Sequence, residues 1–257
     1  MSISLPALAA DVVAAKSGRT IAACLPARNE AATIASVLAV CGWLQDAGVL
    51  DEVVVVDDHS TDGTGAIARR MGAEVLPNTG RPGKGQALRA AVAAATGDVL
   101  VFLDADVVNF SDRFVSDLVL PLLTDPAIQL VKPVYRRPLQ GRPDEGGRVT
   151  ELLARPLLER FFPALAAIAQ PLGGESAVRR SALDGIALAD GYGIEIGLLI
   201  DVYRRFGAAA IAEADLGERV HRNRPLRELQ PHTRAVLDTV MSRVSMGGWP
   251  PPSSPAA

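Results

Sequence analysis

A chain of 257 residues, 49% of them hydrophobic, is long enough for one large α/β domain or two small ones and apolar enough to bury a substantial core. Its net charge of -3 and pI near 5.7 give no overall basic field, which argues against nucleic acid as the main partner. No stretch approaches the ~20 apolar residues of a membrane span, so a soluble protein is expected, with no membrane partner. Cys24 and Cys41 form neither a C-x-x-C pair nor a disulfide framework, which fits a reducing cytoplasm.

In chain order, residues 1–18 read as a short amphipathic lead-in. Arg19 to Leu25 is a first strand ended by Pro26, and Asn29 is placed to cap a helix from Glu30 to about Leu44. Glu52 to Val56 is a second strand. The turn Asp57 to Asp62 after it offers Ser60 or Thr61 as the cap of a helix through Arg70. Glu74 to Leu76 is a short third strand, followed by a Gly-rich loop, Asn78 to Gly85, and a helix from Gln86 to Ala95. The apolar run Val99 to Leu103 reads as a strand buried on both faces; a helix from Asp112 to Leu123 and a strand from Ile128 to Tyr135 follow. Strands alternating with helices at this spacing imply a mostly parallel sheet with right-handed crossovers.

Beyond Pro138 the regularity stops. Pro138 to Gly147, rich in Gly, Pro, Arg and acidic residues, reads as a mobile surface loop, Arg148 to Phe161 as a helix, and Gly173-Gly174 as a breaker. The turn Asp190-Gly191-Tyr192-Gly193 precedes an amphipathic helix, Glu195 to Phe206; a strand at Ala209 to Glu213 and a final helix from Leu226 to Val244 complete the pattern. The Pro- and Ser-rich residues 247–257 read as a disordered tail.

Three loops leave strand ends that a parallel sheet brings to one edge, where ligands bind in open α/β sheets: Pro26-Ala27-Arg28-Asn29-Glu30, the turn from Asp57 to Thr64, and Asp104-Ala105-Asp106. Two carboxylates one residue apart at a strand end repel each other unless a cation stands between them. Mg2+ or Mn2+, hard ions that take oxygen ligands and phosphate, would answer that need. Neither common phosphate loop is present: no G-x-G-x-x-G occurs in these turns, and Gly83-Lys84-Gly85 lacks the earlier glycine and the following hydroxyl of a P-loop.

The set P-x-x-N-E, D-D-x-S-x-D-x-T and D-x-D resembles the nucleotide-sugar half of a GT-A glycosyltransferase of the family 2 type. Further segments, Arg81 to Gly85, Gly147 to Leu152, Gln170 to Glu175, Gly191 to Gly197 and His221 to Leu226, are similar to those of glucosyl-3-phosphoglycerate synthases. The resemblance covers Thr20 to about Val244, with alanine between the two aspartates where serine is common. It implies a Rossmann-like GT-A fold with a nucleotide-sugar-binding part at 19–137 and an acceptor-binding, metal-completing part at 138–246. It also implies retaining transfer of glucose from UDP-glucose to the 2-hydroxyl of 3-phosphoglycerate with Mg2+ or Mn2+. A GDP-mannose-dependent synthase and an inactive nucleotide-sugar-binding module are the alternatives, and a homodimer stays open.

By the same resemblance, Pro26, Ala27, Glu30 and Asp57 frame uridine, and Lys84 meets the donor's phosphates or uracil region. Asp106 and His221 hold the metal with Asp104 in support, and Glu195 binds sugar hydroxyls. Gly147, Arg148, Thr150 and Asn223 are implied as acceptor-binding: a guanidinium fork, a hydroxyl and an amide suit a carboxylate and a phosphate. Tyr192 reads as a packing residue or a sugar contact, and His59 and His232 as surface or turn residues.

Overall fold

The computed structural model describes residues 7–136, 147–220 and 226–246. Among them, seven strands form one sheet: β1 (Ile21–Ala27), β2 (Glu52–Asp57), β3 (Glu74–Pro77), β4 (Val99–Phe102), β5 (Leu130–Arg136), β6 (Ser176–Arg179) and β7 (Ile211–Glu218). Their order is β3-β2-β1-β4-β6-β5-β7. β1 to β4 pair in parallel and β5 pairs in parallel with β7, whereas β6 runs antiparallel to both β4 and β5. The carboxyl ends of six strands and the amino end of β6 therefore lie along one edge. That reversed strand, four residues long and starting two residues after Gly174, was not anticipated; it is too short to show a period.

The central strands are apolar on both faces because both faces are covered. Along β1, Ile21, Ala23 and Leu25 enter one core while Ala22 and Cys24 enter the other, and Val53 and Val55 against Val54 and Val56 repeat the split in β2. The first core is closed by α1 (Ala7–Ala15), α2 (Ile34–Asp46), α3 (Thr64–Arg70) and α5 (Arg113–Thr124). The second is closed by α4 (Lys84–Ala94), α6 (Arg155–Phe161), α7 (Ile194–Phe206) and α8 (Leu226–Met246), whose Val236 and Val240 are buried. Among the described residues no helix is long and apolar enough to cross a membrane.

Several boundaries differ from the sequence reading. β1 continues through Pro26: the Cys24 carbonyl accepts from Leu103 N, so position 26 faces the same side, where β4 has ended and no ladder bond is lost. Asn29 caps no helix; at φ 57° its Oδ1 accepts from Thr61 N at 2.9 Å while its own N–H donates to Ser60 Oγ at 3.0 Å. These bonds tie the β1 and β2 loops together, so α2 starts at Ile34 and α3 at Thr64, behind Gly63 rather than a hydroxyl cap. The helix expected from Arg148 is interrupted by a π-helical turn, Thr150–Ala154, a distortion frequent at functional sites. β7 runs five residues past Glu213, to Glu218. The expected loop at 138–146 and the tail at 247–257 lie outside the described residues.

Candidate active site

Asp104 and Asp106 leave the end of β4 into a cavity of about 670 Å³. Two cations meet them. Lys84 Nζ, at the start of α4, lies 2.5 Å from Asp104 Oδ1 and 2.7 Å from Glu195 Oε1 in the first turn of α7. Arg219, just past β7 and 3% exposed, reaches Asp104 Oδ2 at 2.8 Å and Asp106 Oδ1 at 3.0 Å. Its Nε donates to Glu175 Oε1 at 2.6 Å, and Tyr135 OH at the end of β5 donates to Glu175 Oε2 at 3.0 Å. The reversed β6 explains the meeting: its amino end lies at the carboxyl edge, so Glu175 stands between the ends of β4 and β5.

The protonation states follow from this packing. Burial works against charge on the Lys84 ammonium; the Asp104 and Glu195 carboxylates outweigh it and hold the group well above its ordinary value. Burial likewise works against charge on Arg219, and Glu175, Tyr135 and the two aspartates hold it well above the usual guanidinium range. Asp106 is raised, first by burial and then by repulsion from Asp104, against the pull of Arg219. The charges are packed to the backbone: a Cβ on Gly174 would run into Lys84 Nζ and the Asp104 carboxylate.

The cavity gathers most of the residues singled out from the sequence. Pro26, Ala27 and Glu30 line it from the β1 loop, and Gly147, Arg148 and Thr150 from the helical segment ahead of α6. Tyr192 and Glu195 line it from the turn and helix α7, beside Lys84, Asp104 and Asp106. Asp57 does not line it; its Oδ1 accepts from Ser60 N at 3.0 Å and holds the turn. The neighbouring Asp58 lines it instead, 4% exposed, accepting from Asn78 Nδ2 at 2.6 Å and Gly83 N at 2.9 Å. His221 and Asn223 lie outside the described residues. His59, at φ 59°, is a turn residue whose Nε2 is 3.1 Å from Gly80 O.

Besides Asp58, three site residues were missed. Arg219 carries no local signal, and Glu175 closes a segment that was singled out without a role of its own, because each gains its meaning from a partner more than 40 positions away. His232, set aside as a surface residue, lines the cavity from α8, stacked on Tyr192. The donor set fits a divalent ion: Asp104 and Asp106 supply hard oxygens whose mutual repulsion calls for positive charge. Among the described residues no group of three or more His, Cys, Asp or Glu side chains is placed to hold a metal, so completion of the coordination shell falls to groups beyond these two.

The glycosyl transferase family 2 model matches residues 22–186. Glucosyl-3-phosphoglycerate synthase of Mycobacterium tuberculosis (strain H37Rv) is 50% identical over 247 residues, which covers 91% of this chain and 76% of that protein. A crystal structure of the M. tuberculosis enzyme with Mn2+, UDP-glucose and phosphoglyceric acid superposes with a TM-score of 0.86 at 45% identity, covering 99% of this chain and 88% of that one. A second, with Mn2+, UDP and the product glucosyl-3-phosphoglycerate, gives 0.87 at 46% identity, covering 98% and 88%. With the seven-stranded sheet, the D-x-D carboxylates at its edge and this identity along nearly the whole chain, the protein belongs to the glucosyl-3-phosphoglycerate synthase family of GT-A glycosyltransferases.

Proposed function

We propose that this protein transfers glucose from UDP-glucose to the 2-hydroxyl of 3-phosphoglycerate, with retention at the anomeric carbon and with Mg2+ or Mn2+ bound through Asp106. The observation that supports the reading is a single cavity lined by Asp104 and Asp106, each met by a cation, and by Arg148 and Thr150, which would serve the acceptor. The bound ion supplies Lewis-acid stabilisation of the departing diphosphate. Pro26, Ala27 and Glu30 receive the uridine, with Asp57 shaping the turn beside them. Lys84 exchanges its carboxylate partners for donor phosphate oxygens, and Glu195, released from Lys84, accepts hydrogen bonds from sugar hydroxyls.

On the acceptor side, Arg148 offers a planar fork to a carboxylate, while Thr150 and the Gly147 backbone are at hand for a phosphate. The C1–oxygen bond to diphosphate breaks, a C1–oxygen bond to the acceptor forms, and the hydroxyl proton passes to the departing diphosphate oxygen. Besides Glu30, which receives the uridine, the cavity's carboxylates are engaged: Asp58 by Asn78, Asp104 and Asp106 by Arg219, and Glu195 by Lys84 before the donor binds and by sugar hydroxyls after it. Attack from the face of departure suits such a site better than a double displacement through a nucleophilic carboxylate. His221 and Asn223 keep their proposed roles as metal ligand and acceptor contact. A reducing cytoplasm is the compartment proposed; Cys24 and Cys41 are buried free thiols, each pushed up to about 12 by burial.

The test is turnover. Purified protein incubated with UDP-glucose, 3-phosphoglycerate and Mn2+ should release UDP and glucosyl-3-phosphoglycerate, and Asp106→Ala or EDTA should remove most of that activity. No product from 3-phosphoglycerate with UDP-glucose, or full activity in chelator, would overturn the reading.

A further inference from the structure

Tyr192 and His232 reach one another from different elements: Tyr192 from the turn ahead of α7, His232 from the second turn of α8. Their rings stack with centroids 3.4 Å apart and planes inclined at 27°. The meeting depends on close packing of the two elements, since a Cβ on Gly193 would run into Thr239 Oγ1 and sit 2.9 Å from the Ala235 carbonyl. Val236 and Val240, 1% and 0% exposed, anchor the helix, so His232 is held rather than trailing on a surface. Both rings line the cavity that Arg148 and Thr150 also line, and α8 packs against the π-helical turn that starts at Thr150.

The charge of the cavity gives this pair its meaning. Lys84 and Arg219 pair with carboxylates, and Arg28 and Arg148 also line the cavity; a phosphorylated carboxylate brings about three negative charges to it, toward which an imidazolium adds positive charge. An imidazole with an ordinary pKa near 6.5 gains a proton when a phosphate lies against it. The face of a phenol ring also favours the cationic form, and stacking spares the ring its rotational entropy on binding.

We propose that His232, oriented by Tyr192, binds the phosphate of the acceptor as an imidazolium and so selects phosphorylated over unphosphorylated glycerates. The proposal rests on the glucosyl-transfer reading above. On the elements packed against α8, the charged and titratable groups are Arg148 and Glu151 on the segment ahead of α6, and Asp190, Tyr192 and Glu195 around the start of α7. Glu228 and Arg234 lie on α8 itself. Glu151 pairs with Arg155, Asp190 with Arg89 and Glu195 with Lys84.

The sign is definite. Phosphate contact raises the imidazole pKa, so the added affinity is present at low pH and lost as pH rises through that value. The acceptor's own phosphate becomes dianionic near pH ~6, which gives binding a rising limb as well. Wild-type kcat/KM for 3-phosphoglycerate should therefore pass through a maximum. His232→Gln should raise the 3-phosphoglycerate KM about tenfold near the maximum and remove the falling limb, while the KM for UDP-glucose stays within twofold and the KM for D-glycerate is unmoved. His232→Lys should restore affinity without the falling limb, which separates a charge effect from damage to the fold. An unchanged 3-phosphoglycerate KM in His232→Gln at every pH, or an equal rise for UDP-glucose or D-glycerate, would overturn the proposal. If the wild-type protein turns over no 3-phosphoglycerate, the functional reading fails instead. Calorimetry of 3-phosphoglycerate with the protein and UDP then decides this one: equal affinity in wild type and His232→Gln rejects it.

Discussion

One methyl group is enough to test how tightly the charged centre is set. A Cβ at position 174 would lie 2.6 Å from Asp104 Oδ1 and closer still to Oδ2 and Lys84 Nζ. None of these can step aside cheaply, because Asp104 is held by Lys84 on one oxygen and Arg219 on the other. Gly174→Ala should therefore displace the Asp104 carboxylate and lower kcat/KM roughly 10²-fold, the usual cost of misplacing a site group by about 1 Å. Steady-state kinetics together with a thermal melt would show it; activity within twofold of wild type would mean that the Asp104–Lys84 contact is not needed in the form seen here. Arg219 raises the opposite question, since Glu175 is fully buried and its charge is answered by Arg219 and the Tyr135 hydroxyl. Removing one member of such a buried pair typically costs about 3–5 kcal/mol. The aspartates, Lys84 and Glu195 were legible because strand ends and short motifs mark them. The roles of Arg219 and Glu175 were not, because a buried ion pair announces itself only through partners that folding supplies.

The elements are joined by polar contacts as well as by their cores. Asp98, at the entry to β4, accepts from Thr20 N at 2.8 Å and from Thr20 Oγ1 at 3.0 Å, and its own N–H donates back to that hydroxyl at 3.1 Å, so the starts of β1 and β4 are buttoned together. These bonds, first the backbone one, favour the carboxylate and hold Asp98 below its usual range. A group depressed in the folded state stabilises above its unfolded pKa, about 3.9, and loses that contribution as pH falls through the folded value. Asp98→Asn should accordingly lower Tm at pH 7, and the gap from wild type should close as pH drops below about 4. Melting curves from neutral pH to about pH 2 would show this, and a gap that is constant with pH would assign Asp98 no electrostatic role. The parallel half of the sheet was readable because Val, Ile and Leu runs alternate with helical periods. β6 and the extension of β7 were not: one is four residues long, and the other is an edge strand whose Glu213, Asp215 and Glu218 interrupt the apolar pattern while guarding a free edge.

On the scale of the whole molecule, the site belongs to no single segment. Residues from Pro26 in the first strand to Val236 in the last helix line one cavity, and the carboxyl edge of the sheet, with β6 reversed into it, assembles them. The unfolded chain scatters these groups, so the ligands bind the native state alone and must stabilise it by mass action. UDP with Mn2+ at about a hundred times its dissociation constant should add about 2.7 kcal/mol. A domain of this size gains about 2–4 °C per kcal/mol, so Tm should rise roughly 5–10 °C. Mn2+ alone should do less than Mn2+ with UDP, because Asp104 and Asp106 already hold Arg219 and the diphosphate adds oxygen ligands that the carboxylates lack. In Asp106→Ala the metal-dependent part of the rise should vanish while any metal-independent gain from UDP remains. Differential scanning calorimetry of both proteins, with UDP alone, Mn2+ alone, both, and both plus EDTA, separates these contributions. An Asp106→Ala protein that keeps the full Mn2+-dependent rise would move the metal away from the end of β4.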